Sequence, residues 1–94
     1  MLSYSQPGKL AHIKTATTTL VHTGAGALRH ITVNGGTLTG AITVYDGVDA
    51  NGTELAVIAA DQVKGQVYLY DGEVTDGICI VTAAGVDITV CYDN

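Results

Sequence analysis

Side-chain branching bounds this chain more tightly than any other feature. Of its 94 residues, 31 are Thr, Val or Ile. A β-branched side chain packs well on a pleated strand and crowds the preceding turn of a helix. These residues fall in short runs, and clusters of Gly, Asn and Asp separate the runs. With 12 Gly and a single Pro as punctuation, the pattern predicts strands and turns throughout. No stretch needs to be a long helix, which disfavours helix bundles and coiled coils.

Residues 1–9, MLSYSQPGK, are expected to form an extended arm ahead of one folded unit at 10–94. Leu10–Val21 is a long Thr-rich strand region, bent near Ala16, where its apolar parity changes. Ala27–Asn34 sets Ile31 and Val33 on one face, and Asn34-Gly35-Gly36 then turns the chain, since these residues tolerate positive φ. Ala41–Asp46 puts Ile42 and Val44 in phase. Thr53–Ala60 puts Leu55, Val57 and Ala59 in phase, and Gln66–Asp71 alternates Val67 and Leu69 against Tyr68 and Tyr70. Gly77–Thr82 and Asp87–Tyr92 form a closing hairpin about Gly85 in this reading. Seven or eight short strands at regular spacing indicate an all-β, antiparallel β-sandwich, jelly roll or small barrel. Without Phe or Trp the core is aliphatic and thin. Oligomerisation would cover further apolar area and the sheet edges.

Three strand ends share a Tyr-Asp pair: Tyr45-Asp46, Tyr70-Asp71 and Tyr92-Asp93. The expectation is one local device used repeatedly, with each Asp folding its carboxylate back onto turn N–H groups. Cys79 and Cys91 face one another if the last hairpin is symmetric about Gly85. That geometry allows a disulfide, but two buried thiols acting as small hydrophobes is the preferred reading. The opening residues carry no apolar core of a secretory signal, so the thiols are expected to start in a reducing cytosol.

The net charge is −5 and only Lys9, Lys14, Arg29 and Lys64 are basic. They form no run, so no nucleic-acid partner is expected. No segment reaches the apolar length of a membrane helix, and no membrane partner is expected. The loop from Asp46 to Glu54 holds three carboxylates and Asn51. Its spacing is not that of the helix–loop–helix calcium site. A hairpin loop is the simpler reading, with a calcium-dependent binding domain as a lesser alternative. His12, His22 and His30 come from different strands and lack the close-spaced partner of a zinc site. Ser3 and Ser5 are the only serines and both lie in the arm, which leaves no serine triad. Cys79 has no neighbouring motif that would activate it. The expectation is a non-enzyme with no catalytic residue, no cofactor and no metal.

As an ordered set, Thr23-Gly-Ala-Gly-Ala-Leu28-Arg-His-Ile31-Thr-Val33-Asn34, Ile42-Thr-Val-Tyr45-Asp46-Gly, Gly52-Thr-Glu-Leu55-Ala, Gly77-Ile-Cys-Ile80 and Asp87-Ile-Thr-Val90 resemble a group of small structural proteins of tailed bacteriophages. The likeness covers about residues 15–93 and leaves out the arm. It implies a jelly-roll-like β-sandwich made in the host cytoplasm and carried on the virion, as a head decoration (cement) protein on the capsid surface. The implied partner is the major capsid protein. A homo-oligomer is expected, with a trimer suited to local threefold positions and a dimer to twofold ones. On this reading Leu2, Tyr4, Pro7, Lys9 and Lys14, in the arm and the less acidic half, contact the capsid, and the acidic loops face solvent. Other virion parts, such as a head-fibre or tail component or a receptor- or glycan-binding module, are the alternative.

Overall fold

The computed structural model describes residues 8–36, 39–60 and 64–93. Its eight strands are β1 (Lys9–Ile13), β2 (Thr18–Thr23), β3 (Gly26–Val33), β4 (Ile42–Asp46), β5 (Thr53–Ile58), β6 (Val67–Val74), β7 (Gly77–Val81) and β8 (Ile88–Asp93). They form two four-stranded antiparallel sheets, ordered β1-β8-β3-β6 and β2-β7-β4-β5. The all-β antiparallel sandwich expected from the sequence is the observed architecture. First pairs with last and the pairing then nests inward: β1 with β8, β2 with β7, β3 with β6, β4 with β5.

One aliphatic core lies between the sheets. Ile13, Leu28, Ile31, Val33, Val74, Ile88 and Val90 come from one sheet, and Ile42, Val44, Ile58, Ile78 and Ile80 from the other. Tyr68, Tyr70 and Tyr92 pack against its margin and supply the aromatic area that Phe and Trp would otherwise give.

The Thr-rich region does break near Ala16. Residues 14–17 carry the chain from β1 in one sheet to β2 in the other. Thr82, buried, ties this crossing down. Its hydroxyl donates to the Thr15 carbonyl at 2.6 Å and accepts the Thr17 N–H at 3.1 Å. Gly36 (φ 75°) bends the chain between β3 and β4, with its Cα packed onto the Gly85 carbonyl too tightly for a side chain.

Two sequence expectations are corrected. The turn at Ala84-Gly85 exists, but it is not a hairpin: β7 and β8 belong to opposite sheets. Cys79 therefore lies beside Leu20 and Tyr45, and Cys91 beside Leu10 and His30. Both thiols are free and buried, as preferred from the sequence. In β5 and β6 the alternation expected from the sequence is observed, and the structure assigns its faces. Ala56 and Ile58 face the core while Leu55 and Val57 point outward; Tyr68 and Tyr70 pack on the core while Val67 and Leu69 are exposed. In these two strands both faces carry apolar side chains, so alternation alone does not choose the inner one.

The Tyr-Asp pairs also have three separate roles. Asp46 serves a turn on another connection, Asp71 sits within β6 at φ 54°, and Asp93 pairs with Arg29. Ile58 is 1% exposed and Val57 54%, one residue apart. In urea unfolding, Ile58→Ala is expected to cost roughly 2–5 kcal/mol. Val57→Ala should stay within about 0.5 kcal/mol. Equal losses would contradict the phase observed here.

Candidate functional site

The ladders place outward-facing side chains in level rows. On the β2-β7-β4-β5 sheet one row runs Thr18, Val81, Thr43, Val57, and the next runs Leu20, Cys79, Tyr45, Glu54. Leu55, the extra residue of a bulge in β5, joins the second row. Glu54, at the corner, is the one charged member. The opposite sheet carries Leu10, Cys91, His30, Leu69 in one row and His12, Thr89, Thr32, Val67 in the next. Neither pair of rows contains a Lys or an Arg. Both faces thus offer a protein partner a surface with little charge to desolvate.

Charged groups gather at the ends of the sandwich. The connections at 47–52 and 75–76, together with Gly8 and Asp93, lie at one end. Asp46, Asp49, Glu73 and Asp76 are there. Asp46 closes β4 and crosses to the 75–77 turn. Its carboxylate accepts the N–H groups of Asp76 at 2.8 Å, Thr75 at 3.0 Å and Gly77 at 3.3 Å. The Asp76 and Thr75 N–H groups hold its pKa below the ordinary carboxylate value against opposing desolvation, with the Gly77 N–H adding to them. Asp49 accepts the Asn51 N–H at 2.9 Å in a local Asx turn. Together with Gly47, Val48, Gly52 and Thr53 these residues line a shallow hollow. Among the described residues no three His, Cys, Asp or Glu side chains converge as a metal site would require. The Asp46 and Asp49 carboxylates of this loop instead accept backbone N–H groups of turns.

Arg29 is the extra residue of a bulge in β3 and emerges on the outer side of its sheet. It is 5% exposed, pairs with Asp93 through Nε at 2.8 Å and also through Nη2, and packs beside Gly8 and Cys91. At the other end, His12 Nε2 meets Asp87 at 2.6 Å, and Asn34 donates to both Asp87 and Thr89. The His12 and Asn34 bonds, in that order, lower the Asp87 pKa. His22 bonds the Ala25 carbonyl at 3.0 Å and stacks obliquely on Tyr92. His12 and His22 thus serve separate local contacts, while the buried Nδ1 of His30 meets no hydrogen-bond partner among the described residues. Burial pushes the Cys79 thiol pKa up, with Asp49 adding to it, which works against thiolate nucleophilicity.

Of the residues proposed from sequence as partner contacts, Leu2, Tyr4 and Pro7 lie outside the described residues. Lys9 and Lys14 are exposed, but they bracket β1 and stand about 17 Å apart by strand rise. Lys9 stands at the acidic end. The sequence reading set the arm and the acidic loops on opposite sides of the molecule; β1 instead starts at the end where those loops are. Alternation groups Leu55 with Val57 and Val67 with Leu69 but does not say which face of the sheet each pair takes, so the outward rows are not legible from it.

Comparison with known proteins finds no matching family model, no matching curated protein and no matching solved structure.

Because Asp46 binds its proton more weakly when folded, its stabilisation is present above the unfolded pKa and is lost as pH falls through the folded one. Asp46→Asn is expected to lower stability at neutral pH and to flatten the acid side of the stability profile. Thermal melts from neutral pH down to the acid limb read this directly. An unchanged acid limb would remove Asp46 as a tie.

Proposed function

We propose that this chain is a structural protein of a tailed-bacteriophage virion: a head decoration (cement) protein that lies on the outer capsid surface and stabilises it across capsomer joints. The observation that carries the reading is that, in each sheet, the two outward rows described above hold no Lys or Arg and, apart from corner Glu54, no carboxylate, while Asp93 and Glu73 lie in a further outward row at the acidic end. A cement protein works by burying surface at many equivalent sites, and each bound copy stabilises the shell by mass action. It needs a stiff scaffold with broad uncharged faces and no activated side chain. The nested strand order is the one a jelly roll uses, in keeping with the resemblance noted above.

On this reading the major capsid protein is the partner, and the arm with Leu2, Tyr4, Pro7 and Lys9 reaches it. Lys9 shares its end of the sandwich with Asp46, Asp49 and Asp76. The capsid surface met there is one that accommodates carboxylates, and Lys14, at the other end of β1, falls outside the contact.

Mixing the purified protein with undecorated heads tests the proposal. Binding in hundreds of copies per particle and greater resistance of the heads to heat are expected. Removing residues 2–7, which leaves β1 whole, should lower occupancy. A few copies per particle would move the assignment to a tail or fibre component, and no binding would end it.

A further inference from the structure

Asn precedes Gly twice in this chain, at Asn34-Gly35 and at Asn51-Gly52, and both asparagines are exposed. In such a pair the glycine nitrogen approaches the asparagine side-chain amide with no side chain of its own in the way. The fold treats the two pairs differently. Asn34 is held: its Nδ2 donates to Thr89 Oγ1 at 2.8 Å and to Asp87 Oδ1 at 3.2 Å, and its backbone N–H donates to the Asp87 carbonyl at 2.8 Å. Asn51 stands in the turn between β4 and β5. Its backbone N–H meets the Asp49 carboxylate at 2.9 Å, while its side chain meets no hydrogen-bond partner among the described residues. The Gly52 N–H makes one long bond, 3.3 Å to the Asp49 carbonyl. Packing also demands glycine at 52 and not at 35. A Cβ on Gly52 would stand 2.5 Å from the Asp46 carbonyl oxygen and 3.0 Å from the Gly47 Cα, whereas one on Gly35 would meet nothing within 4 Å. The β4–β5 turn therefore requires, after Asn51, the residue that hinders attack on its amide least.

We propose that Asn51 is a site of spontaneous deamidation in the folded protein, through a cyclic imide with Gly52, and that the fold protects Asn34 from the same reaction. The Gly52 nitrogen gives up its proton to hydroxide and bonds Asn51 Cγ. The side-chain nitrogen takes a proton from water and leaves as ammonia. Water then opens the imide. Cleavage at Cγ leaves aspartate; cleavage at the main-chain carbonyl leaves isoaspartate, whose backbone is longer by one methylene. At Asn34 the nitrogen that must leave is the one that Thr89 and Asp87 hold, and turning Cγ toward the Gly35 nitrogen breaks both bonds. At Asn51 only the long Gly52 bond stands in the way. Either product adds a carboxylate to the end of the sandwich that already holds Asp46, Asp49 and Asp76. The isoaspartyl product also lengthens the chain where Gly52 packs onto Asp46 and Gly47, so it disturbs the turn as well as its charge. The chemistry belongs to the chain itself and does not depend on the capsid reading.

Ageing the full chain in mildly alkaline buffer, folded and in concentrated urea, tests the proposal, with tandem mass spectrometry of its peptides reading each asparagine separately. In the folded protein Asn51 is expected to lose its amide about ten-fold faster than Asn34 or more, the cost in rate of breaking the two side-chain bonds that hold Asn34. In urea, where those bonds are gone, the two rates should be comparable. Thr89→Val removes the shorter of the two bonds and should raise the Asn34 rate in the folded protein while leaving the Asn51 rate unchanged. Equal rates in the folded protein, an Asn34 that reacts first, an Asn51 that keeps its amide over the time in which the unfolded chain loses it, or an Asn34 rate that Thr89→Val does not move would each overturn the proposal.

Discussion

A single layer of aliphatic side chains between two sheets holds every other part of this molecule in place. Ile31, Ile42, Val44, Ile78, Ile80, Ile88 and Val90 are all essentially inaccessible to solvent. None has a side chain long enough to reach past the opposing sheet. Their stabilisation therefore requires both sheets at once: either sheet alone would leave one side of this layer in water. The absence of Phe and Trp makes the requirement stricter. The core gains its density from branched side chains that interdigitate, and each has few rotamers in which it fits.

Closing two sheets over such a thin layer leaves many backbone groups at the crossings between them, and polar side chains meet that need. Thr82 holds the β1–β2 crossing, Asp46 gathers the N–H groups of the 75–77 turn, and Asp87 holds Asn34 and His12. Each tie joins segments remote in sequence. The same division of labour leaves the two described outward rows of each sheet without Lys or Arg and nearly free of acids, since most charge is collected at the ends where the chain turns. That is the property a protein needs if it is to lie against other protein surfaces.

Much of the fold could be read in the residues. Thr, Val and Ile runs mark the strands, the parity change near Ala16 marks a real crossing, and the two cysteines are buried thiols. What local pattern could not supply was the side of each sheet and the partner of each strand. In TELAVI and QVYLY both alternations are apolar, so the inner face is decided by what lies across the core. The Gly85 turn has the same local chemistry whether the chain returns along its own sheet or crosses to the other. The Tyr-Asp pairs look alike in sequence and differ in structure because Arg29 meets one, the 75–77 turn meets another, and the third bends a strand. The charge at the ends was half legible: acids and bases could be counted, but which of them share an end follows from the strand order alone.

Nesting also sets the order in which the chain can acquire its form. Among the described strands only β4 and β5 are both consecutive and paired; every other pairing waits for a segment farther along. β1 is the extreme case, since its only ladder is with β8, made some eighty residues later on the ribosome. Loops that long are costly to close before their contacts form, so assembly of this kind is slow and proceeds outward from the β4–β5 hairpin. Until β8 emerges, β1 is a strand without a sheet. A chain cut short ahead of β8 would lose its first strand together with its last.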